Sequence, residues 1–156
     1  MPMDDKAVQR TLNGLKATLK RTPRLVGQES VRFFRRSFDR QGFVDSGLKR
    51  WPARLKSEDA GRSILVKSGR LRDSIRVISA TSRRVQVGTD VPYAAAHNEG
   101  GVQYVKPHTR VSKNGNRYQV KGYSYKLRQR RFIGQSKALD RHLTTTIKRE
   151  LLKNFK

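Results

Sequence analysis

At 156 residues the chain has the length of one ordinary domain, and 35% apolar residues are enough for a modest core. Lys and Arg number 36 against 12 Asp and Glu, and a net charge of +24 on so small a body repels itself unless an anionic partner is near: nucleic acid, an acidic protein face or, less readily, anionic lipid. The absence of Cys excludes disulfides and thiolate metal sites; no apolar run approaches the ~20 residues that span a bilayer, and Met1 to Asp5 lack the apolar region of a secretion signal, so a soluble cytosolic product with no membrane partner is expected.

In chain order, Asp4 and Asp5 suit the N-cap of a helix over residues 6–20, in which Val8, Leu12, Leu15 and Leu19 recur every three or four positions. Pro23 is expected to end it, because proline lacks an N–H and its ring crowds the carbonyl four residues back. A second helix is expected over 28–40, with Val31, Phe34 and Phe38 sharing a face and Phe33 beside it. Arg32, Arg35, Arg36 and Arg40 form its other side, which reads as a solvated face rather than a groove reader. Residues 41–64 read as a long loop, since Gly42, Gly47, Pro52 and Gly61 interrupt any period. Within it Trp51 fits a core plug and an interface contact equally well.

Ser68 can cap a short helical turn that feeds a strand over 75–80, and residues 81–83 return the chain into a strand over 84–88. So brief a connection makes the pair antiparallel. Pro92 suits the first turn of a short helix over 92–99, where Ala94, Ala95 and Ala96 let another backbone come close, and Gly100 and Gly101 stop it. This strand, turn, helix and double glycine read as a packed corner beneath a subunit contact. A further hairpin is expected to pair 102–106 with 117–121 around Asn114-Gly115, followed by a basic loop over 122–135. Lys106, Arg110, Lys113, Arg117, Lys121, Lys126, Arg128, Arg130 and Arg131 occupy this region with no acid among them and with Tyr118, Tyr123 and Tyr125 interleaved. That combination suits phosphate contact and a protein interface alike. Ser136 caps a final helix over 136–155, with Leu139, Leu143, Ile147, Leu151 and Leu152 as its buried stripe.

The expected fold is therefore α+β, a single domain over 1–156. A mostly antiparallel sheet of about four strands over 65–121 is packed by N-terminal helices (1–40) and a long C-terminal helix, with extended basic loops. No catalytic, cofactor or metal site is expected. His97-Asn98-Glu99 has the H-x-E form of a zinc deaminase, but the two thiolates that site needs are missing, and His108 and His142 have no ligand spacing with His97. No nucleophile elbow, P-loop or dinucleotide fingerprint is present. Asp90 and Glu99 could be read as nuclease carboxylates; more simply, Asp90 caps the turn before Pro92 and Glu99 pairs with a nearby cation. A free, sequence-nonspecific nucleic-acid-binding module is the reading that charge alone supports.

Three stretches, in this order, give a further lead: Leu65-Val66-Lys67-Ser68-Gly69-Arg70-Leu71-Arg72-Asp73-Ser74-Ile75; Val87-Gly88-Thr89 with Pro92-Tyr93-Ala94 and His97-Asn98-Glu99-Gly100-Gly101; and Arg130-Arg131-Phe132-Ile133-Gly134. With the region of Phe38, Gly42, Phe43 and Trp51, they make the chain resemble the virion morphogenesis (tail completion) family of tailed bacteriophages, of the Mu-like prophage G type. The resemblance covers roughly residues 30–145. It departs where that family usually carries a proline and a small residue before the last motif, for here Arg128 and Gln129 stand there.

What the resemblance implies is a small structural subunit, without cofactor or turnover, made in the bacterial host cytoplasm and built into the virion. It would form a ring of six copies, or of twelve, at the head-tail junction, touching connector and tail-tube proteins and, transiently, genomic DNA. Tyr93, His97, Trp51 and Phe132 would form or support contacts between subunits. The nine cations named above would reach a partner or phosphate, most of that charge meeting protein or solvent and only part of it phosphate.

Overall fold

The computed structural model describes residues 4–54 and 61–155. Its first helix, α1 (Asp5–Asp39), starts where the Asp4 carboxylate accepts the Lys6 N–H at 3.0 Å, and it runs unbroken through Pro23. Two helices separated at that proline were expected, and the structure corrects this. Proline disfavours a helix interior by about 3 kcal/mol, but the helix is held from outside on both sides of it. Thr18 is buried before it, and Gly27, Ser30, Phe34, Ser37 and Phe38 after it.

Beyond α1, Gln41 adopts a left-handed backbone (φ 52°), and its side-chain amide donates to the Phe38 carbonyl and accepts the Ile64 N–H. Its own carbonyl accepts the Trp51 N–H at 2.9 Å. That closure lets β1 (Gly42–Val44) pair antiparallel with β2 (Leu48–Arg50), so the first part of the supposed long loop is a hairpin. Residues 55–60 of that stretch lie outside the described residues.

A short helix, α2 (Arg70–Asp73), follows Gly69 at the N-cap position, and the hydroxyl of Ser68, the expected cap, accepts the Arg70 N–H at 3.5 Å. β3 (Arg76–Ala80) and β4 (Val85–Gly88) form the expected antiparallel hairpin, with a register shift between Val77 and Ser79. α1 lies directly on this hairpin. A Cβ added at Gly27 would stand 2.7 Å from a Val77 methyl carbon, so only glycine allows that approach. At the next turn the Thr89 hydroxyl accepts the Val91 N–H at 3.1 Å and meets the Ser74 hydroxyl at 2.6 Å. Thr89 thus takes the capping part assigned to Asp90, whose carboxylate instead pairs with Arg76 at 3.1 Å.

α3 (Ala94–Glu99) forms where Pro92 and the alanines predict it, with Ala94 buried and Ala95 exposed. Four strands come next: β5 (Gly101–Val105), β6 (His108–Val111), β7 (Arg117–Val120) and β8 (Tyr123–Leu127). β5 pairs with β8 and β6 with β7. The expected partner of 102–106 was 117–121, and the expected loop over 122–135 contains β8; both are corrected. The α+β class stands, but its strands form four two-stranded ladders in place of one four-stranded sheet.

The last helix, α4 (Lys137–Leu152), is capped by Ser136, whose hydroxyl accepts the Leu139 N–H at 3.0 Å and donates to the Val44 carbonyl at 2.8 Å. The turn of the β1–β2 hairpin supplies a second cap: the Asp45 carboxylate accepts the Lys137 N–H at 2.8 Å, which holds its pKa below the ordinary carboxylate value. Leu139 and Thr146 face inward, whereas Leu152 is exposed, contrary to its expected place in the buried stripe. A closing 3-10 turn (Lys153–Phe155) places Asn154 against α1, where its amide donates to the Thr18 hydroxyl at 3.1 Å. The core gathers Phe34, Phe38, Phe43, Trp51, Ile75 and Phe132 with smaller neighbours, and Phe38, Ile75 and Phe132 are its most deeply buried large side chains.

Candidate interaction surface

The two ladders β5–β8 and β6–β7 share one register. Gly101 opposes Leu127 and Val105 opposes Tyr123; continuing the count, His108 opposes Val120 and Val111 opposes Arg117. They are one long ribbon over 101–127, interrupted near Pro107 and Gly122, where proline has no N–H to give the ladder. At about 3.3 Å per residue its eleven-residue limb reaches roughly 36 Å. Asn114-Gly115 does form the tip, as expected, between Ser112 and Asn116, whose backbones bond at 2.8 Å.

Such a ribbon has no core of its own. Val102, Tyr104 and Val111 are 71%, 63% and 62% exposed, and Tyr118, Tyr123 and Tyr125 are nearly half exposed. Tyr104 lies over Gly122, the position where a side chain would meet its hydroxyl. Tyr123 and Tyr125 share a face, with ring centroids 6.3 Å apart. Lys106, Arg110, Lys113, Arg117, Lys121 and Lys126 are all exposed along it, and among the described residues none makes an ion pair.

The root of the ribbon is fixed, and the two later sequence motifs are what fix it. Gly100 (φ 72°) turns the chain out of α3 so closely that a Cβ would strike the Gln129 backbone and the Leu127 carbonyl. The Arg130 N–H donates to the His97 carbonyl at 2.8 Å, and the Asn98 side-chain oxygen accepts the Phe132 and Ile133 N–H groups at 2.9 and 3.0 Å. The path through Arg128 and Gln129 therefore reaches the last motif without the proline of the family pattern. Asn98 is the residue that sequence reasoning missed. It stands both in the second motif and in the H-x-E pattern, and an Asn in the last turn of a short helix, just before a double glycine, is the available signal for a backbone clamp.

Several expected contact residues are occupied by this root. Trp51 (7% exposed) donates its indole N–H to the Arg131 carbonyl at 2.7 Å and meets Phe38 edge to face. Phe132 (1% exposed) packs on Phe38. Both are core residues. Arg130 reaches the Pro52 and Ala53 carbonyls, and Arg131 lies over the Phe43 ring at 4.7 Å while donating to the Gln135 carbonyl. These two half-buried arginines hold the body together, whereas Arg128 is exposed.

Tyr93 and His97 stand edge to face, with centroids 5.9 Å apart, on the wall of a cleft of about 510 Å³ that also takes in Leu65, Lys67, Arg70 and Arg130. Tyr93 is well exposed. Burial, and then the Arg130 charge, push the His97 pKa down, and among the described residues its buried Nδ1 has no hydrogen-bond partner. The first and second motifs thus meet at this cleft, as the second and third meet at the ribbon root.

Glu99 accepts from the Asn98 amide at 2.6 Å. Among the described residues no three His, Asp or Glu side chains gather as metal ligands, and no helix is long and apolar enough to cross a membrane. No curated protein and no solved structure shows significant similarity to the chain. The profile of the phage virion morphogenesis family, however, matches residues 3–152, nearly the whole length. The chain thus belongs to the phage virion morphogenesis family, structural components of the bacteriophage particle.

Proposed function

We propose that this subunit assembles into a ring at the phage head-tail junction, where it completes the tail and joins it to the connector. The observation that supports the reading is the ribbon over 101–127: an excursion hydrogen-bonded at its root, whose tyrosines and cations are largely exposed. Folding gains little from so exposed an element, and ordering its residues costs backbone entropy of about 1–2 kcal/mol each. Its gain has to come from contacts outside the subunit. Six copies close the ring in this reading, with twelve the other closed arrangement, and the neighbours are connector and tail-tube proteins. Tyr93, beside His97 on the open cleft, offers the contact between subunits.

Deleting residues 113–116 tests the reading in a phage whose own copy of the gene is disabled. The shortened chain should keep the parent's circular dichroism, because residues 113–116 are all exposed, yet heads and tails should accumulate unjoined. Normal infectious yield from the deletion would overturn the assignment. Negative-stain images of the purified protein, with and without tail tubes, give the copy number directly.

A further inference from the structure

Within the ring reading, we propose that the ribbon over 101–127 binds duplex DNA through its phosphates, as a two-stranded β insertion into the major groove. Three observations carry this. First, the ribbon holds six cations and no acid, and the next acid along the chain is Asp140. A second copy of this chain would present the same positive ribbon, so like surfaces repel and the complementary partner is polyanionic.

Second, the cations do not form one patch. Arg110 opposes Tyr118 and Arg117 opposes Val111, adjacent rungs of the same ladder, so Arg110 and Arg117 project from opposite faces. A ribbon laid on an acidic protein surface would use one face and leave the other charged side in solvent. A ribbon inside a groove meets phosphates on both sides. Third, the dimensions agree: the major groove of B-form DNA is about 12 Å wide and admits a two-stranded ribbon, and a limb of roughly 36 Å spans about one helical turn of 34–36 Å.

Charged contacts of this kind carry no sequence information and permit sliding. Adhesion to DNA passing through a ring is therefore compatible with its passage. The tyrosines and valines on the same faces fit against sugars and base edges without specifying a base.

The test uses the purified full chain and a random 30-base-pair duplex, followed by fluorescence anisotropy across salt concentrations. One variant carries K106Q, R110Q, R117Q and K121Q; a control carries R10Q, K16Q, K20Q and R21Q on the exposed side of α1, an equal loss of charge elsewhere. The ribbon variant should bind at least about tenfold more weakly at 0.1 M salt. The slope of log affinity against log salt should shrink by about 3–4, since each lost phosphate contact removes about 0.9. The control should stay within about threefold of the parent.

Equal losses in both variants would reduce the effect to overall charge and overturn the proposal. So would a single strand of the same length binding as tightly as the duplex. Polyglutamate binding more tightly than DNA would assign the ribbon to an acidic protein instead. Because no particle is involved, a failure here leaves the ring assignment standing, and a failure of the tip deletion to block joining leaves this one.

Discussion

Replacing Asn98 with Ala should loosen the root of the ribbon and lower the stability of the whole body. In the folded chain one side-chain oxygen satisfies two part-buried backbone donors, Phe132 N–H at 2.9 Å and Ile133 N–H at 3.0 Å. Alanine removes the acceptor and offers nothing in return. An unsatisfied buried amide costs about 1–3 kcal/mol, and partial access of water puts the pair near the low end, about 2–4 kcal/mol. For a chain of this size each kcal/mol moves the melting midpoint by about 2–4 °C, so the expected fall is about 4–16 °C by circular dichroism. Asn98→Asp keeps an oxygen in the same place, although it loses the amide that donates to Glu99. It should melt between the parent and Asn98→Ala. Hydrogen exchange at Phe132 and Ile133 should accelerate in the alanine variant first. A midpoint within about 2 °C of the parent, or an aspartate variant no better than alanine, would refute the clamp.

Gly27→Val should cost about 1–3 kcal/mol by overpacking against Val77 and Val85, despite the better helix propensity of valine, and an unchanged melting midpoint would show that α1 can ride outward. Pro23→Ala restores the N–H missing from α1 and should raise the midpoint by several degrees; a fall would contradict the view that packing carries the helix past the proline. His97 titrates below its ordinary value in the fold, so the unfolded chain takes the proton first. Stability should therefore decline as pH falls from about 6.5 towards the lower folded value, and His97→Gln should flatten that decline in melts between pH 7 and 5. Glu29 is held below its ordinary pKa, chiefly by the hydrogen bond from His142, so its contribution is present above the unfolded carboxylate value and lost in acid. His142→Ala should raise the Glu29 pKa measured by NMR, and no movement would dissociate the pair.

Much of the architecture is legible from local chemistry. Ser136 and the leucine spacing mark the start of α4. The alternation in 75–88 with its short connection marks the β3–β4 hairpin, and Gly100 marks the end of α3. What the sequence hides is whatever distant parts decide. Pro23 disfavours a helix in isolation, and burial of Thr18 before it and of Gly27, Ser30, Phe34, Ser37 and Phe38 after it offsets that. The β1–β2 hairpin is too short to show a period, and it is held by the Gln41 carbonyl, by burial of Phe43 and by the Asp45 cap on α4. Asn114-Gly115 locates the ribbon tip, but Pro107 and Gly122 look like strand ends in the sequence when they are interruptions in a longer ladder, so the spacing points to the wrong partners. The motif residues Trp51, Arg130, Arg131 and Phe132 share one limitation. Sequence alone cannot tell a side chain that greets a neighbour from one that secures its own backbone, and here the indole and guanidinium groups mostly do the latter.

The ribbon leaves and re-enters the body at adjacent points, with Gly100 beside Gln129. Its reach is consequently a parameter separate from the fold. Inserting one residue in each limb extends the tip by about 3.3 Å and exchanges the sides presented by everything beyond the insertion; inserting two in each restores them about 6.6 Å farther out. An assembly could match this projection to a wider or narrower opening by adding whole rungs, while the scaffold beneath keeps the same side chains in the same places.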